Sequence, residues 1–84
     1  MNNIDCWTVT DVKTEDDYKL LVTFKDGKTK IFDMKPWLKI PYFEKLKNPG
    51  FFKQARVENF TVAWPDEIDI DPETLCDDGI ELEK

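Results

Sequence analysis

Apolar and polar positions alternate most clearly in two runs, Tyr18 to Lys25 and Lys28 to Asp33, which flank Asp26-Gly27. Period-two alternation marks a half-buried strand. Asp-Gly between two such runs marks a hairpin, because a tight turn needs positive φ. A two-residue loop pairs Lys25 with Lys28, Phe24 with Thr29 and Val22 with Ile31. Leu20, Val22, Phe24 and Ile31 then form the core face. Leu21 and Phe32 fall on the wetter face with Lys19, Thr23, Lys25, Lys28 and Lys30, where the two apolar residues can meet a helix. Upstream, Trp7, Val9 and, after a change of phase, Val12 predict a strand from about Cys6 to Thr14. The broken alternation calls for a bulge near Thr10. Glu15-Asp16-Asp17 is the polar turn that follows.

Helical spacing begins at Met34. Met34 to Lys39 predicts one helical turn, which Ile40-Pro41 breaks. Tyr42 to Lys47 predicts a second, with Phe43 and Leu46 on one side at i, i+3. Asn48-Pro49 is a capping residue followed by a proline suited to the first helical position, so Pro49 to Gln54 reads as a short helix carrying Phe51 and Phe52.

Alternation returns at Phe60, Val62 and Trp64, interleaved with Thr61, Ala63 and Pro65. This predicts the outgoing strand of a last hairpin, entered through Glu58-Asn59. Pro65 has no N–H for a ladder, so the strand ends there or lies at an edge. Ile68 and Ile70, spaced by two, face the core while Asp66, Glu67 and Asp69 face water. Asp71-Pro72 starts a helical turn anchored by Leu75. Beyond Asp77-Asp78-Gly79, a short segment through Ile80 and Leu82 either adds to the fold or frays. The predicted class is α+β: a small antiparallel sheet of about five strands in hairpins, with short helices packed on one side. One domain spans residues 1–84.

Parts of this pattern resemble a known family. The run Val62-Ala63-Trp64-Pro65, followed by Asp69-Ile70-Asp71-Pro72-Glu73-Thr74-Leu75, is similar to the closing signature of the DUF2442 family, small bacterial proteins of unknown function. Members usually end that strand in Trp-Pro-Asn-Gly, where this chain has Asp66 and Glu67. Glutamate tolerates a left-handed backbone poorly, so the turn's conformation is what this departure puts at stake. Val22 to Gly27 resembles the family's first hairpin, Phe32 to Pro36 the entry to its helical region, and Phe43 to Pro49 with Phe52 its middle motif. Ile40-Pro41 replaces a glycine common there. The resemblance implies a compact α+β domain with no agreed activity. It marks Asp26, Gly27, Trp64, Pro65, Asp69, Asp71, Pro72 and Leu75 as signature positions, read as structural. In some relatives a similar domain precedes a helix-turn-helix domain. In others it is encoded beside another small protein in a toxin–antitoxin arrangement.

Composition narrows the chemistry. There is no histidine and no serine, and only one arginine. Serine triads, cysteine–histidine pairs and histidine metal sites are therefore excluded. The 3 glycines are scattered and form no phosphate loop. The enzyme candidate that remains is the carboxylate set Asp66, Asp69, Asp71 and Glu73, a group type that can share protons or bind Mg²⁺ or Ca²⁺. Its spacing is not that of an EF-hand, and Asp71 already serves as a cap. A structural cap and a solvated loop are the preferred reading, with no catalytic residue, metal or cofactor. Cys6 and Cys76 form no Cys-x-x-Cys pair. Two reduced thiols are the expectation for a chain without a secretion signal, and a disulfide joining the two ends is the alternative. No apolar run is long enough to cross a membrane, so the expected location is the cytoplasm.

The net charge of −6 is unevenly spread. Lys25 to Arg56 holds nine basic and three acidic residues, and Asp66 to Lys84 holds nine acidic and one basic. The two regions can meet each other, meet a partner, or simply be solvated. Basic residues interleaved with Trp37, Tyr42, Phe43, Phe51 and Phe52 could contact nucleic acid, but a pI near 4.5 argues against a stand-alone binder. A protein partner or self-association fits better. The expected function is a small non-enzymatic binding or regulatory module, antitoxin-like toward a separately encoded protein. Either the acidic run from Asp66 or an edge strand would make the contact. The alternative is a nucleic-acid-associated accessory domain using Lys25 to Arg56.

Overall fold

The first hairpin sets the arrangement of everything after it. β1 (Val9–Glu15), β2 (Lys19–Phe24) and β3 (Thr29–Asp33) run antiparallel. A computed structural model describes residues 7–82, so Cys6, where the first strand is predicted to begin, lies outside the described residues. The predicted bulge falls at Thr10, where the β1–β2 register shifts between Val9 and Asp11. The β2–β3 register differs from the predicted one. Leu20 pairs with Phe32, Leu21 with Ile31 and Val22 with Lys30. The loop has three residues, not two: the Gly27 N–H donates to the Phe24 carbonyl and the Phe24 N–H to the Lys28 carbonyl, both at 2.9 Å. Gly27 takes the left-handed position at φ 91°, and Asp26 Oδ1 accepts from the Lys28 N–H at 2.9 Å. A type I turn followed by a left-handed glycine is the three-residue alternative for an Asp-Gly hairpin. The added residue reverses the faces of β3, so Phe32 is buried and Ile31 lies on the outer face.

Two 3₁₀ helices, Lys35–Lys39 and Pro41–Lys47, and the short α1 (Pro49–Phe52) follow. The Asn48 side chain accepts from the N–H groups of Gly50 at 2.8 Å and Phe51 at 3.2 Å, the predicted cap. β4 (Arg56–Glu58), β5 (Thr61–Trp64) and β6 (Ile68–Ile70) form a second antiparallel sheet. α2 (Pro72–Asp78) then leads to β7 (Ile80–Glu81), which returns to pair with β3. The strand orders are β1-β2-β3-β7 and β4-β5-β6. The α+β character is as expected, but seven described strands in two sheets replace about five in one. The additions are β6, which carries the two core-facing isoleucines, and β7, which is the tail.

One core joins both sheets. Leu20, Val22, Phe24, Phe32 and Met34 meet Val62, Trp64, Ile68, Ile70 and Leu75, with Leu38, Phe43, Leu46 and Phe52 from the helical region closing one side. Trp64, fully buried, donates its indole N–H to the Phe52 carbonyl at 2.9 Å. That bond satisfies the one polar atom of the largest core side chain. The sheets also meet directly, through the Val9 N–H and the Phe60 carbonyl at 2.9 Å. All four residues of β5 are buried, because it is the central strand of its sheet and both its faces are covered. The alternation predicts Phe60 inside that strand, but it sits in the turn before it and is 70% exposed. The β4–β5 register pairs Glu58 with Thr61, so Asn59-Phe60 forms the two-residue loop in place of Glu58-Asn59.

Paired left-handed residues occupy three hairpin turns: Asp17-Tyr18 (φ 67° and 60°), Asn59-Phe60 (53° and 66°) and Asp66-Glu67 (68° and 63°). The turn after Trp64 therefore keeps the left-handed form without the family's glycine. Each pair opens on Asp or Asn, which tolerate that region, and closes on a larger residue, which is strained there. Glu67→Gly is expected to raise stability by about 1 kcal/mol, and the melting temperature by roughly 4–8 °C, in thermal denaturation. A lower melting temperature would contradict the strain argument. Gly79 presents the opposite case. Its φ is ordinary, but a Cβ there would lie 2.6 Å from the Leu75 carbonyl oxygen and 3.1 Å from Lys30 Cβ. Gly79→Ala should lower stability by about 1–3 kcal/mol in urea titration with an unchanged m-value.

Candidate functional site

Each signature position has a structural task. Asp26 and Gly27 make the β2–β3 loop. Trp64 and Leu75 are core, and Pro65 ends β5. Asp71 caps α2 by accepting from the Glu73 N–H at 3.1 Å, and Pro72 is the first residue of that helix. The hydroxyl of Tyr42 lies 3.3 Å from Asp69 Oδ1 and accepts from the Asp69 N–H at 3.1 Å. Asp66 is 2.6 Å from the Lys45 ammonium. The acidic run is thus partly tied to the helical region, Tyr42 and Lys45 of one 3₁₀ helix holding the β5–β6 turn. Among the described residues, no three His, Cys, Asp or Glu side chains are placed to hold a metal ion.

Much of the basic segment is engaged in the same way. Lys28 pairs with Glu81 at 3.7 Å and Arg56 with Glu58 at 3.5 Å. Lys35 bridges Asp17 and Asp33. Its hydrogen bond holds the Asp17 carboxyl below the usual aspartate range, and the same bond raises the Lys35 ammonium. Of the aromatics interleaved with these lysines, Phe43 and Phe52 are buried, and Trp37 and Phe51 pack partly buried against the core. Trp37 contacts the rings of Phe32 and Phe43, at centroid distances of 6.1 Å and 6.4 Å.

The candidate site is instead the outer face of the four-stranded sheet. There Leu21 pairs with Ile31, and Ile31 with Ile80, so three aliphatic side chains form a row across β2, β3 and β7. Leu21 and Ile31 are half-buried, and Ile80 is 73% exposed. Beside this row runs an open groove of about 510 Å³, lined by Lys19, Ile31, Asp33, Pro36, Trp37, Asp78 and Ile80 among others. A two-residue loop predicts Ile31 in the core, and the three-residue loop places it here instead. β7 had no predicted partner strand, because two residues carry too little pattern to assign one.

On the core side of β3, Lys30 reaches α2. Its ammonium donates to the Cys76 carbonyl at 2.6 Å and lies 3.5 Å from Cys76 Sγ. The cation sits near the helix C-terminus, where the macrodipole favours positive charge. Cys76 is disulfide-bonded, which corrects the expectation of a reduced thiol at that position. The sequence holds one other cysteine, Cys6, which lies outside the described residues.

No helix among the described residues is long and apolar enough to cross a membrane. No curated protein and no solved structure matches the chain. The model of one family, described as a protein of unknown function (DUF2442), matches residues 9–81, from the first residue of β1 to the last of β7. With nearly every element inside that match, the chain belongs to the DUF2442 family.

Proposed function

We propose that this domain is a non-enzymatic protein-binding or regulatory module of the cytoplasm, antitoxin-like toward a separately encoded protein. The observation that carries the reading is the row Leu21–Ile31–Ile80 beside the Trp37 groove. Contiguous apolar surface of this kind, rimmed by charges such as Lys19, Asp33 and Asp78, is what a protein interface requires. The contact then involves the β7 edge more than the run from Asp66, whose carboxylates Asp66, Asp69 and Asp71 already have partners in the fold.

The test uses two tagged chains in the native host, the wild type and Ile80→Asp. Ile80 is 73% exposed, so the variant should keep the wild-type melting temperature within a few degrees. The wild type is expected to recover one protein in stoichiometric amount, and Ile80→Asp to lose at least about ten-fold of it, which corresponds to roughly 1.4 kcal/mol. Recovery of no stoichiometric protein, or equal recovery by both chains, would count against the reading. A salt-sensitive shift of RNA or DNA by the wild type would replace it with the nucleic-acid alternative.

A further inference from the structure

The outer face of the four-stranded sheet carries charge as well as its apolar row. Residues opposite one another on antiparallel strands share a face. Lys13 stands opposite Leu21, which continues the row Leu21–Ile31–Ile80 onto β1 as a basic residue. One row along, Glu15 stands opposite Lys19, and Lys19 opposite Asp33. The aliphatic side chains are therefore flanked by charges of both signs. Among the described residues, neither Lys13 nor Lys19 makes a salt bridge, and neither does Asp78, which lines the groove beside Ile80. Asp33 lies 3.8 Å from the Lys35 ammonium, and its side chain is still 43% exposed.

We propose that a second copy of this chain covers the face, sheet packed on sheet about a two-fold axis. The occupant follows from the charge pattern. An axis parallel to the strands, between β2 and β3, exchanges those two strands between the copies. Leu21 of each copy then packs on Ile31 of the other, with the sheets about 10 Å apart. The same rotation sets Lys19 of each copy against Asp33 of the other, and brings Lys13 toward Ile80 and Asp78. Every contact occurs twice, as an isologous interface requires. Glu15 and Asp78 are a like-charged pair brought near each other, at the rim, where water and salt screen them. A face of one sign would repel its own copy, whereas this one complements it. Self-pairing rests on the same face as the binding reading and regulates it: paired copies hide the row, and a separately encoded partner gains it by displacing one of them.

The purified full chain is measured alone by light scattering and analytical ultracentrifugation over a concentration series, with circular dichroism to check folding. The wild type is expected to reach twice the chain mass of 9.9 kDa, and Ile80→Asp to stay at the single mass. Lys19→Glu and Asp33→Lys, each alone, should weaken pairing at least about ten-fold, since each sets like charges together twice. Their equimolar mixture should regain the wild-type affinity within about three-fold, because both contacts of the mixed pair again oppose unlike charges. Asp33 also accepts the Lys35 N–H at 2.9 Å. Where Asp33→Lys does not fold, Lys13→Glu mixed with Asp78→Lys provides the same test. A wild type that stays single to millimolar concentration overturns self-pairing. So does a dimer that Ile80→Asp leaves intact, or a mixture of folded variants that stays apart. A single-mass wild type that still recovers a host protein through Ile80 would leave the binding reading standing. A dimer that recovers no host protein would remove that reading and keep this one.

Discussion

Gly27, in its left-handed conformation, determines which side chains of β3 the core receives. A strand's side chains alternate faces, so adding one loop residue exchanges the whole set. With three residues in the loop, Phe32 enters the core and Lys30 points to the same side, where it reaches Cys76. Ile31 turns outward and becomes the middle of the exposed row. A two-residue loop would instead bury Ile31 and expose Phe32. Burying a side chain of this size contributes about 1.5–3 kcal/mol, and phenylalanine brings more area than isoleucine. Asp26 supports the longer loop by accepting the Lys28 N–H. Local hydrogen bonding and core burial therefore favour the same register.

The helical region is too short to be stable on its own, because helices of one or two turns are marginal in water. It is held by what it covers. Phe43, Leu46 and Phe52 are buried against the sheets, and the Phe52 carbonyl accepts the Trp64 indole N–H. The Tyr18 hydroxyl donates to the Lys47 carbonyl from the opposite side, joining the β1–β2 turn to the same segment. Charge completes the attachment. The contact of Lys45 with Asp66 turns part of the uneven charge distribution inward. Exposed pairs of this kind contribute little individually, so they orient the turns more than they stabilise them.

Features fixed by local chemistry were legible in the sequence. The bulge at Thr10, the caps at Asn48 and Asp71, the end of β5 at Pro65 and the core-facing pair Ile68 and Ile70 all follow from neighbours in the chain. The features that were not legible depend on choices the local sequence leaves open. Asp-Gly permits either loop length, and the outcome rests on Phe32 finding the core. Phe60 continues an apolar alternation, yet the β4–β5 register leaves it in the turn. Glu67 is a poor residue for left-handed backbone, and the pairing of Trp64 with Ile68 imposes that conformation all the same. The candidate face was hidden for the same reason as the register, since Ile31 joins it only through the loop and Ile80 only through a two-residue strand.

The exposed row and the Lys30 corner share an element. Ile80 belongs to β7, which is attached through pairing with Lys30 and Ile31, the Leu82 N–H to Thr29, and the Lys28–Glu81 ion pair. Two residues of ladder are a weak hold, because few backbone bonds offset the cost of ordering the segment. The steadier anchor is Gly79, whose N–H donates to the Leu75 carbonyl and whose backbone packs on the Lys30 side chain. Lys30 in turn is fixed by the carbonyl of Cys76. The position of Ile80 on the outer face therefore rests on the packing of a corner on the other side of β3.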